Sequence, residues 1–502
     1  MIYLSKSRLL LHRQCPKALW LHTFNGELAQ TDPSTDFRMQ IGNRLGEVAR
    51  DLHPGGTLVD GTDAPRALNA TRTALSGKKK HVVYEAAFAH KAVLVRADLL
   101  LPIRGGYKMV EVKSSTRLKP YHLEDAAIQA WVIRNQGMDL RKVEVAHVNR
   151  DFTFNGGGGM PASGDVRSPF AGLLTHVDVT RETEELGAQV PRWVRSARKT
   201  LIAGEPDVAP GAQCNDPFPC SFRAYCSPVT EGYEVEILRD PSLAAELRSA
   251  GYTDLRKVPK SHLHKPKHLR LWRGTRSRKA TLDPAVAPIL AALPYPRYYL
   301  DFETIQLTVP LWPDTSPTTQ IPFQWSCHVE GRTGKLRHAA FLADGRDDPR
   351  REIALGLIQC VRSRGPIFVY SQGFEAARLR ELADTFPDLA PALQAIIRRL
   401  VDLLPLAREY YHHRDMRGSW SLKDVLPTIA PKLGYANLEI SNGAHAASTF
   451  YRLLVAVRPP TGRRVLRRNR GLTGLLRASL LEYCKRDTLA LVKVAHRFQR
   501  AK

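Results

Sequence analysis

The chain has 502 residues, enough for two or three domains that each bury a core of their own. Lys and Arg number 74 against 49 Asp and Glu, and the resulting net charge of +25 favours a polyanionic partner, most simply nucleic acid. The sequence contains no run of eighteen apolar residues, so we expect no membrane span. The first residues lack the apolar region of a signal peptide, so we expect a cytoplasmic protein. Seven cysteines, odd in number and clustered, do not suit a secreted disulfide framework.

The N-terminal segment predicts two short helices on either side of Cys15. Ser5 or Ser7 can cap the first helix, which ends before the Cys15-Pro16 pair, and Cys15 opens the second. A single cysteine at such a place is usually a small buried apolar residue. Cys15 therefore gains a function only in combination with cysteines further along the chain.

The strongest chemical signal lies between residues 95 and 131. Two short apolar segments separated by a Gly-Gly turn predict a β-hairpin. Asp98 lies near the end of its first strand, whereas Glu111 and Lys113 are two apart on the second and point to one face. Carboxylates are the ligands that Mg²⁺ prefers, and a lysine beside them can hold a water or offset phosphate charge. Such a set is costly to bury without a function.

A helix predicted from Tyr121 to Gly137 follows and carries Gln129. Asp98, the Glu111-Val-Lys113 sequence and Gln129 together resemble the core of the PD-(D/E)XK nucleases in their RecB-like branch. The resemblance implies that Asp98 and Glu111 hold Mg²⁺ or Mn²⁺ and that Lys113 positions the attacking water. It also implies that Gln129 orients this centre or the bound strand.

A helix ahead of the hairpin supplies a further acidic or histidine metal ligand in RecB-like nucleases. The predicted helix over residues 37–52 contains Glu47, and His53 follows it directly. Either side chain matches the position, and Glu47 is the favoured metal ligand. Glu85, in a strand predicted over residues 82–88, is a further acidic residue near the hairpin in sequence.

Three cysteines recur at equal spacing in a Pro- and Gly-rich segment, at Cys214, Cys220 and Cys226. With Cys15 they provide four thiolates, the soft ligands that select zinc or an iron–sulfur cluster. Structural zinc sites more often use paired C-x-x-C knuckles, so the spacing favours [4Fe-4S] and leaves zinc as the alternative. One cysteine before the nuclease core and three after it resemble the iron–sulfur staple of several RecB-like nucleases.

Residues 231–293 predict a basic, helical connector. Lysines and histidines cluster between Lys257 and His268 without the spacing of a metal site. A solvated charged face and a patch that contacts the phosphate backbone explain this cluster equally well.

A second acidic set begins where a strand ends in Asp301-Phe-Glu303. Glu375 lies in the first turn of a later predicted helix, and Tyr483 and Asp487 are four apart on the closing helix, so they share one face. This order resembles the DEDD exonucleases of the ribonuclease H-like fold. The resemblance implies that the four carboxylates hold two metal ions and that Tyr483 orients water.

The middle position of that motif departs from the DEDD pattern, which normally has aspartate there. Glu375 is one methylene longer, and Asp402 is the fallback ligand. If Glu375 cannot serve, this half of the chain binds nucleic acid without cutting it.

The combined prediction is an α/β protein with three segments. Residues 1–230 form a PD-(D/E)XK restriction-endonuclease-like domain, 231–293 the connector, and 294–502 a ribonuclease H-like domain with a mixed sheet. The expected function is a Mg²⁺- or Mn²⁺-dependent deoxyribonuclease, acting on single strands or ends in repair, recombination or defence, with a helicase or defence complex as partner. RNA stays open as a substrate. The alternative is a non-catalytic nucleic-acid-binding component of a larger complex.

Overall fold

The computed structural model describes residues 3–30, 34–60, 63–77, 79–156, 168–227, 232–277, 279–435, 437–457 and 469–502. The chain divides into two compact units: Met1–Val229 with Leu307–Thr319, and Thr230–Gln306 with Gln320–Lys502. Both combine helices with a mixed sheet, which confirms the predicted α/β class. Within the described ranges, no helix is both long and apolar enough to cross a membrane.

The first unit has helices packed around one seven-stranded sheet. Its strands are β1 (Leu4–Ser5), β2 (Thr57–Leu58), β3 (Val83–His90), β4 (Val93–Ile103), β5 (Gly106–Lys113), β6 (Leu140–Val148) and β7 (Leu174–Asp178). Its helices are α1 (Lys6–Gln14), α2 (Pro16–Phe24), α3 (Ser34–Asp51), α4 (Ala64–Leu75), α5 (Pro120–Arg134), α6 (Thr180–Gly187), α7 (Val190–Ile202) and α8 (Arg223–Cys226).

The sheet order is β2-β3-β4-β5-β6-β7, with β1 paired to β4. The predicted hairpin is β4–β5, and Gly105 at its turn has φ +84°, a conformation that favours glycine. β5 and β6 are parallel, so α5 serves as the crossover that parallel neighbours require. Ile128 and Val132 of α5 are fully buried in the core under the sheet. Gln129 lies between them and is equally buried.

The second unit is built on a five-stranded sheet of order β11-β10-β9-β12-β13 and a small two-stranded sheet. Its strands are β8 (Thr281–Leu282), β9 (Arg297–Gln306), β10 (Gln320–Glu330), β11 (Leu336–Leu342), β12 (Ile367–Val369), β13 (Leu400–Asp402) and β14 (Tyr411–His412). Its helices are α9 (Pro241–Ser249), α10 (Pro266–Arg276), α11 (Val286–Ala291), α12 (Arg350–Val361), α13 (Gln372–Thr385), α14 (Ala390–Ile397), α15 (Leu403–Tyr410), α16 (Leu422–Ile429), α17 (Gly443–Val457) and α18 (Asn469–Gln499).

β9, β10 and β11 form an antiparallel meander, whereas β12 and β13 continue the sheet in parallel with β9. The last long helix, α18, packs along β9 and β10. This arrangement brings the carboxylates of Asp301 and Glu303, within β9, next to the side chains of α18 that face the sheet.

Two features of the predicted organisation differ from the structure. Residues 231–293 do not form a separate connector, because side chains such as Val235, Leu255 and Leu271 share one core with Phe368 of the second unit. The segment Leu307–Thr319, predicted as part of the C-terminal domain, belongs to the first unit.

The sequence of residues 180–203 predicts a single amphipathic helix with Val190, Trp193, Val194, Ala197 and Leu201 on one face, whereas the structure has two helices, α6 and α7. Pro191, in the first turn of α7, has no N–H to continue the hydrogen bonds of α6. The apolar face was identified correctly, since Val190, Trp193, Val194 and Ala197 are all buried.

Candidate functional sites

The first site lies where β4 and β5 separate. The ladder between these strands ends at the Leu99–Val110 pair. Beyond it, Asp98 Oδ2 accepts a hydrogen bond from the backbone N–H of Val112 at 2.7 Å, so a side chain replaces the ladder. At the start of β4, Val93 and Leu94 pair with β1. Lys6, the residue directly after β1, therefore lies at the same opening.

Glu111 is the centre of this site and is 1% exposed. Its Oε1 accepts hydrogen bonds from Lys113 Nζ at 2.7 Å and from Lys6 Nζ at 2.6 Å. Its Oε2 accepts from Gln129 Nε2 at 2.6 Å. The structure therefore brings together the predicted residues Glu111, Lys113 and Gln129, with Asp98 on the adjacent strand.

Lys6 and Asp125 belong to the same cluster and were not predicted from the sequence. Asp125 is 4% exposed, accepts a hydrogen bond from Lys113 Nζ, and lies 3.5 Å from Lys6 Nζ. Gln129 Nε2 also donates to Asp125 Oδ1 at 3.4 Å. The spacing of four between Asp125 and Gln129 could have revealed Asp125, because such residues share a helix face.

The charges in this site shift one another strongly. Burial and the nearby Glu111 raise the pKa of Asp98 to about 7, although Lys6, Lys113 and the Val112 N–H act in the opposite direction. Burial would also raise the pKa of Glu111, but Lys113 and Lys6 outweigh it and lower that pKa. Two ammonium groups thus lie among three carboxylates, and a divalent cation can supply the same kind of charge balance.

Three further acidic or histidine candidates have other contacts. Glu47 Oε2 accepts a hydrogen bond from Arg44 at 2.8 Å, and its role as a metal ligand stays a prediction. The His53 ring stands edge-on to His176. Glu85 adopts φ +54° and lies close enough to Glu111 for that charge to raise its pKa, with burial as the larger cause.

The four predicted cysteines converge in the first unit. Cys15, Cys214, Cys220 and Cys226 are free thiols that line one cavity together with Ala18, Leu21 and Phe222. Burial raises the pKa of Cys220, and the nearby Cys15 and Cys214 raise it further. Gln14 Nε2 fixes the N-terminal side of this cavity by donating to the backbone oxygens of Gln213 and Phe218 at 2.8 and 2.7 Å.

The spacing of these sulfurs bears on the metal they fit. Among the described residues, the ligand atoms of Asp301, Glu303 and Cys484 all lie within 4.8 Å of one another. No three sulfurs of the cysteine quartet lie that close together. Tetrahedral zinc with Zn–S bonds of about 2.3 Å needs sulfurs only about 3.8 Å apart. The four sulfurs are therefore not all as close to one another as mononuclear zinc requires.

The second site lies between β9 and α18. Asp301 and Glu303 lie within β9, which continues to Gln306 and does not end at Glu303 as predicted, and Asp487 faces them from α18. Cys484 Sγ lies 3.7 Å from Asp301 Oδ2 and is fully buried. The structure thus brings together the predicted strand-end and helix carboxylates, with a thiol that was not predicted.

Glu375 joins this group from α13. It is 2% exposed, its Oε2 has no hydrogen-bond partner among the described residues, and its charge raises the pKa of Asp301. An unpartnered buried carboxylate oxygen is costly in the absence of a cation. Glu375 therefore fits the fourth ligand position despite the extra methylene.

Asp402, the fallback ligand, has a structural role instead. Its Oδ1 accepts from the backbone N–H groups of Ser371 at 3.0 Å and Leu404 at 2.9 Å, and its Oδ2 accepts from Gln372 at 2.9 Å. Asp402 thereby caps α15 and holds the start of α13, where Ser371 has φ +86°. This support positions Glu375, which lies four residues after Ser371 in the first turn of α13.

Tyr435 and Lys423 complete the second site, and Tyr435 was not assigned a role from the sequence. Tyr435 donates a hydrogen bond from its hydroxyl to Asp487 Oδ1 at 2.5 Å. Lys423 Nζ lies 5.4 Å from the ring centre of Tyr483 and 5.6 Å from that of Tyr435. Tyr483 itself is 3% exposed and faces the same carboxylates, as its helical spacing from Asp487 predicts.

Like charges dominate the electrostatics of the second site. Burial and the adjacent Asp487 raise the pKa of Glu303 to about 8, and burial raises that of Glu375 to about 8. Burial, followed by Asp487, Glu303 and Glu375, raises the pKa of Asp301 well above its usual range. Burial lowers the pKa of Lys423, the cation beside these groups. Four carboxylates with one lysine form a cation-binding arrangement.

Comparison with known proteins assigns no activity to either site. Residues 298–421 match the protein family described as Domain of unknown function (DUF2779). This stretch contains Asp301, Glu303 and Glu375 but ends before Tyr435 and Asp487. No curated protein matches the chain.

Proposed function

We propose that the protein is a metal-dependent nuclease that hydrolyses phosphodiester bonds of DNA. The observation that carries this proposal is the same arrangement in both units: buried carboxylates from separate elements converge beside at least one lysine. Bound Mg²⁺ or Mn²⁺ would supply Lewis acidity and an activated water at such sites. The resemblance to RecB-like and DEDD nucleases, together with the net charge of +25, supports the same conclusion.

In the first centre, Asp98 and Glu111 provide the metal-binding oxygens. Lys113 is held by Glu111 and Asp125 and is thus placed to orient a water at the carboxylates. Gln129 holds the second oxygen of Glu111, which fixes the orientation of that carboxylate. Glu47 stays a candidate for a further ligand.

In the second centre, Asp301, Glu303, Glu375 and Asp487 provide the metal-binding oxygens for two ions. Tyr435 fixes Asp487, and Tyr483 is placed to orient a water above the same carboxylates. The DEDD resemblance supports removal of nucleotides from a 3′ end. We include a cytoplasmic location in this proposal.

Metal dependence is the direct test of the proposed activity. The full chain, freed of metal with EDTA, should leave labelled single-stranded DNA, duplex DNA and RNA intact, and added Mg²⁺ or Mn²⁺ should restore cleavage of DNA. Both centres are proposed to activate water through a bound divalent cation, so we expect no cleavage in EDTA. Gel analysis of 5′-labelled and 3′-labelled strands measures the rate and the polarity.

The same assay separates the proposal from its alternative, a nucleic-acid-binding component without catalysis. Retention of labelled DNA on the protein with no product in either metal would contradict the nuclease. Cleavage of RNA alone would retain the nuclease and replace its substrate.

We also propose that Cys15, Cys214, Cys220 and Cys226 hold a [4Fe-4S] cluster, supported by their convergence and by sulfurs that are not all as close together as mononuclear zinc requires. Anaerobically purified protein should be brown, with broad absorbance near about 400 nm. Cys214→Ser should remove the colour and destabilise the first unit, because the free energy of metal binding also stabilises the fold.

Cys360→Ser is the matched control for the cysteine experiment, since Cys360 lies on α12 of the second unit. It should leave both colour and thermal midpoint unchanged. A colourless anaerobic preparation with one equivalent of zinc would replace the cluster by zinc.

A further inference from the structure

Lys6 is the feature of the first site that neither the motifs nor the proposed roles explain. Its Nζ lies 2.6 Å from Glu111 Oε1, the oxygen that Lys113 Nζ also contacts at 2.7 Å. Two ammonium groups thus share one carboxylate oxygen, while Asp125 lies 3.5 Å from the first and accepts a hydrogen bond from the second. Both lysines are mostly buried, with 23% and 19% of their side chains exposed.

A divalent cation on Asp98 and Glu111 cannot coexist with this arrangement. A cation at coordination distance from Glu111 would lie only a few ångströms from both ammonium groups, at which separation like charges repel strongly. At least one lysine must therefore leave Oε1 when the metal binds. This step of the argument rests on the proposed metal-binding role of Glu111.

The contacts indicate which lysine moves. Lys113 extends from β5, the strand that also carries Glu111, and its second partner is Asp125, so it can release Oε1 without leaving the cluster. Lys6 is the first residue of α1 and directly follows β1, which pairs with β4 and not with β5. Its second contact, with Asp125, is longer, at 3.5 Å. Its backbone is fixed by β1 pairing with β4 and by the Ser5 cap, which accepts from the Arg8 N–H at 3.2 Å.

We propose that Lys6 is a displaceable cation of the first centre: it neutralises Glu111 in the absence of metal and binds a phosphate oxygen of the DNA once metal is bound. A flexible lysine on a fixed backbone keeps its ammonium group within reach of the mouth of the site after it leaves Glu111. The incoming phosphodiester is the anion that then replaces the carboxylate as its partner.

The proposal predicts effects of opposite sign on metal and on DNA. Lys6→Met keeps the aliphatic chain and removes the competing charge, so Mn²⁺ should bind about tenfold more tightly to the first centre. The KM for single-stranded DNA in Mn²⁺ should rise about tenfold, because one phosphate contact is lost. DNA affinity measured in EDTA should stay within about twofold, because in that state Lys6 is held by Glu111 and not by DNA.

The measurements use the full chain in an Asp301→Ala background, which reduces metal binding and cleavage at the second centre. Calorimetric titration with Mn²⁺ gives the affinity, and steady-state cleavage gives KM and kcat. Lys108→Met is the matched control, because Lys108 has a similar exposed fraction of 22% and pairs with Glu144 at 2.9 Å instead. Lys6→Arg should restore KM in part, since it keeps a phosphate-binding charge.

Each outcome decides between the roles of Lys6. Weaker Mn²⁺ binding together with a lower thermal midpoint would mean that Lys6 only holds the carboxylates in place, and would overturn the proposal. Unchanged Mn²⁺ affinity would overturn it as well. Failure of the nuclease proposal is recognised separately, by the absence of metal-dependent cleavage in the parent protein. The titration of Mn²⁺ into Lys6→Met then still measures whether Lys6 competes with metal.

Discussion

Lys113→Ala, introduced into a chain that also carries Asp301→Ala, should lower the rate of the remaining metal-dependent cleavage about a thousandfold. Lys113 is the side chain placed to orient water at Glu111, and removal of a group with such a role costs about 10²- to 10⁴-fold in rate. Binding of labelled DNA should change little, because the chain keeps 73 of its 74 basic side chains and with them its long-range attraction. Single-turnover cleavage and filter binding measure the two quantities.

Lys108→Ala is the control for this change. Lys108 lies on the same strand, five residues earlier. Its Nζ pairs with Glu144 Oε2 at 2.9 Å and not with Glu111. It should retain cleavage within about threefold, because its pair with Glu144, which also contacts Lys142 and His176, lies outside the first centre. Equal rates for the two lysine variants would remove the first centre from the proposed function.

Asp301→Ala in the complementary Lys113→Ala background should abolish degradation from the 3′ end. Asp301 lies near Asp487, Glu303 and Glu375, and even mutation of an outer partner of a metal ligand costs about 10- to 100-fold. We therefore expect a loss of more than about a hundredfold. A 3′-phosphorylated strand should be degraded slowly by the parent protein, because the free 3′ end is the expected starting point.

The metal-free stability of a second variant at the same residue, Asp301→Asn, gives an independent readout. Asp301 stands among Asp487, Glu303 and Glu375, so its replacement by Asn should raise the thermal midpoint in EDTA by removing like-charge repulsion. Asp388→Asn is the control, because Asp388 is exposed and pairs with Arg351 at 2.7 Å. This change should lower the thermal midpoint slightly or leave it unchanged. If the second unit binds DNA and Asp301→Ala does not alter degradation, this half of the chain is a binding module.

Local periodicity was sufficient for those parts of the sites that a single element carries. Glu111 and Lys113 share a face because strand side chains alternate, and Tyr483 and Asp487 share one because a helix turns every 3.6 residues. The Gly-Gly turn similarly identified the β4–β5 hairpin. These predictions needed no knowledge of how distant segments pair.

The unpredicted residues are those placed by long-range pairing. Lys6 is separated from Glu111 by 105 positions and arrives through the β1–β4 pairing, for which a two-residue strand leaves no recognisable pattern. Tyr435 is separated from Asp487 by 52 positions and lies outside any regular element. Only the tertiary structure brings such side chains to a site, so a single sequence contains no spacing that could reveal them.

The segment Leu307–Thr319 has a consequence for how such a chain can be rearranged by genetic recombination. It connects β9 to β10 in the second unit yet belongs to the first, where Phe154 exchanges backbone hydrogen bonds with Asp314 and Thr315 at 2.8 and 2.9 Å. The chain therefore passes between the units three times, and no single crossover point exchanges one complete unit for another. A gene fusion at residue 230 would leave the first unit without this segment and give the second a stretch with no partner. The two units are thus expected to be inherited together.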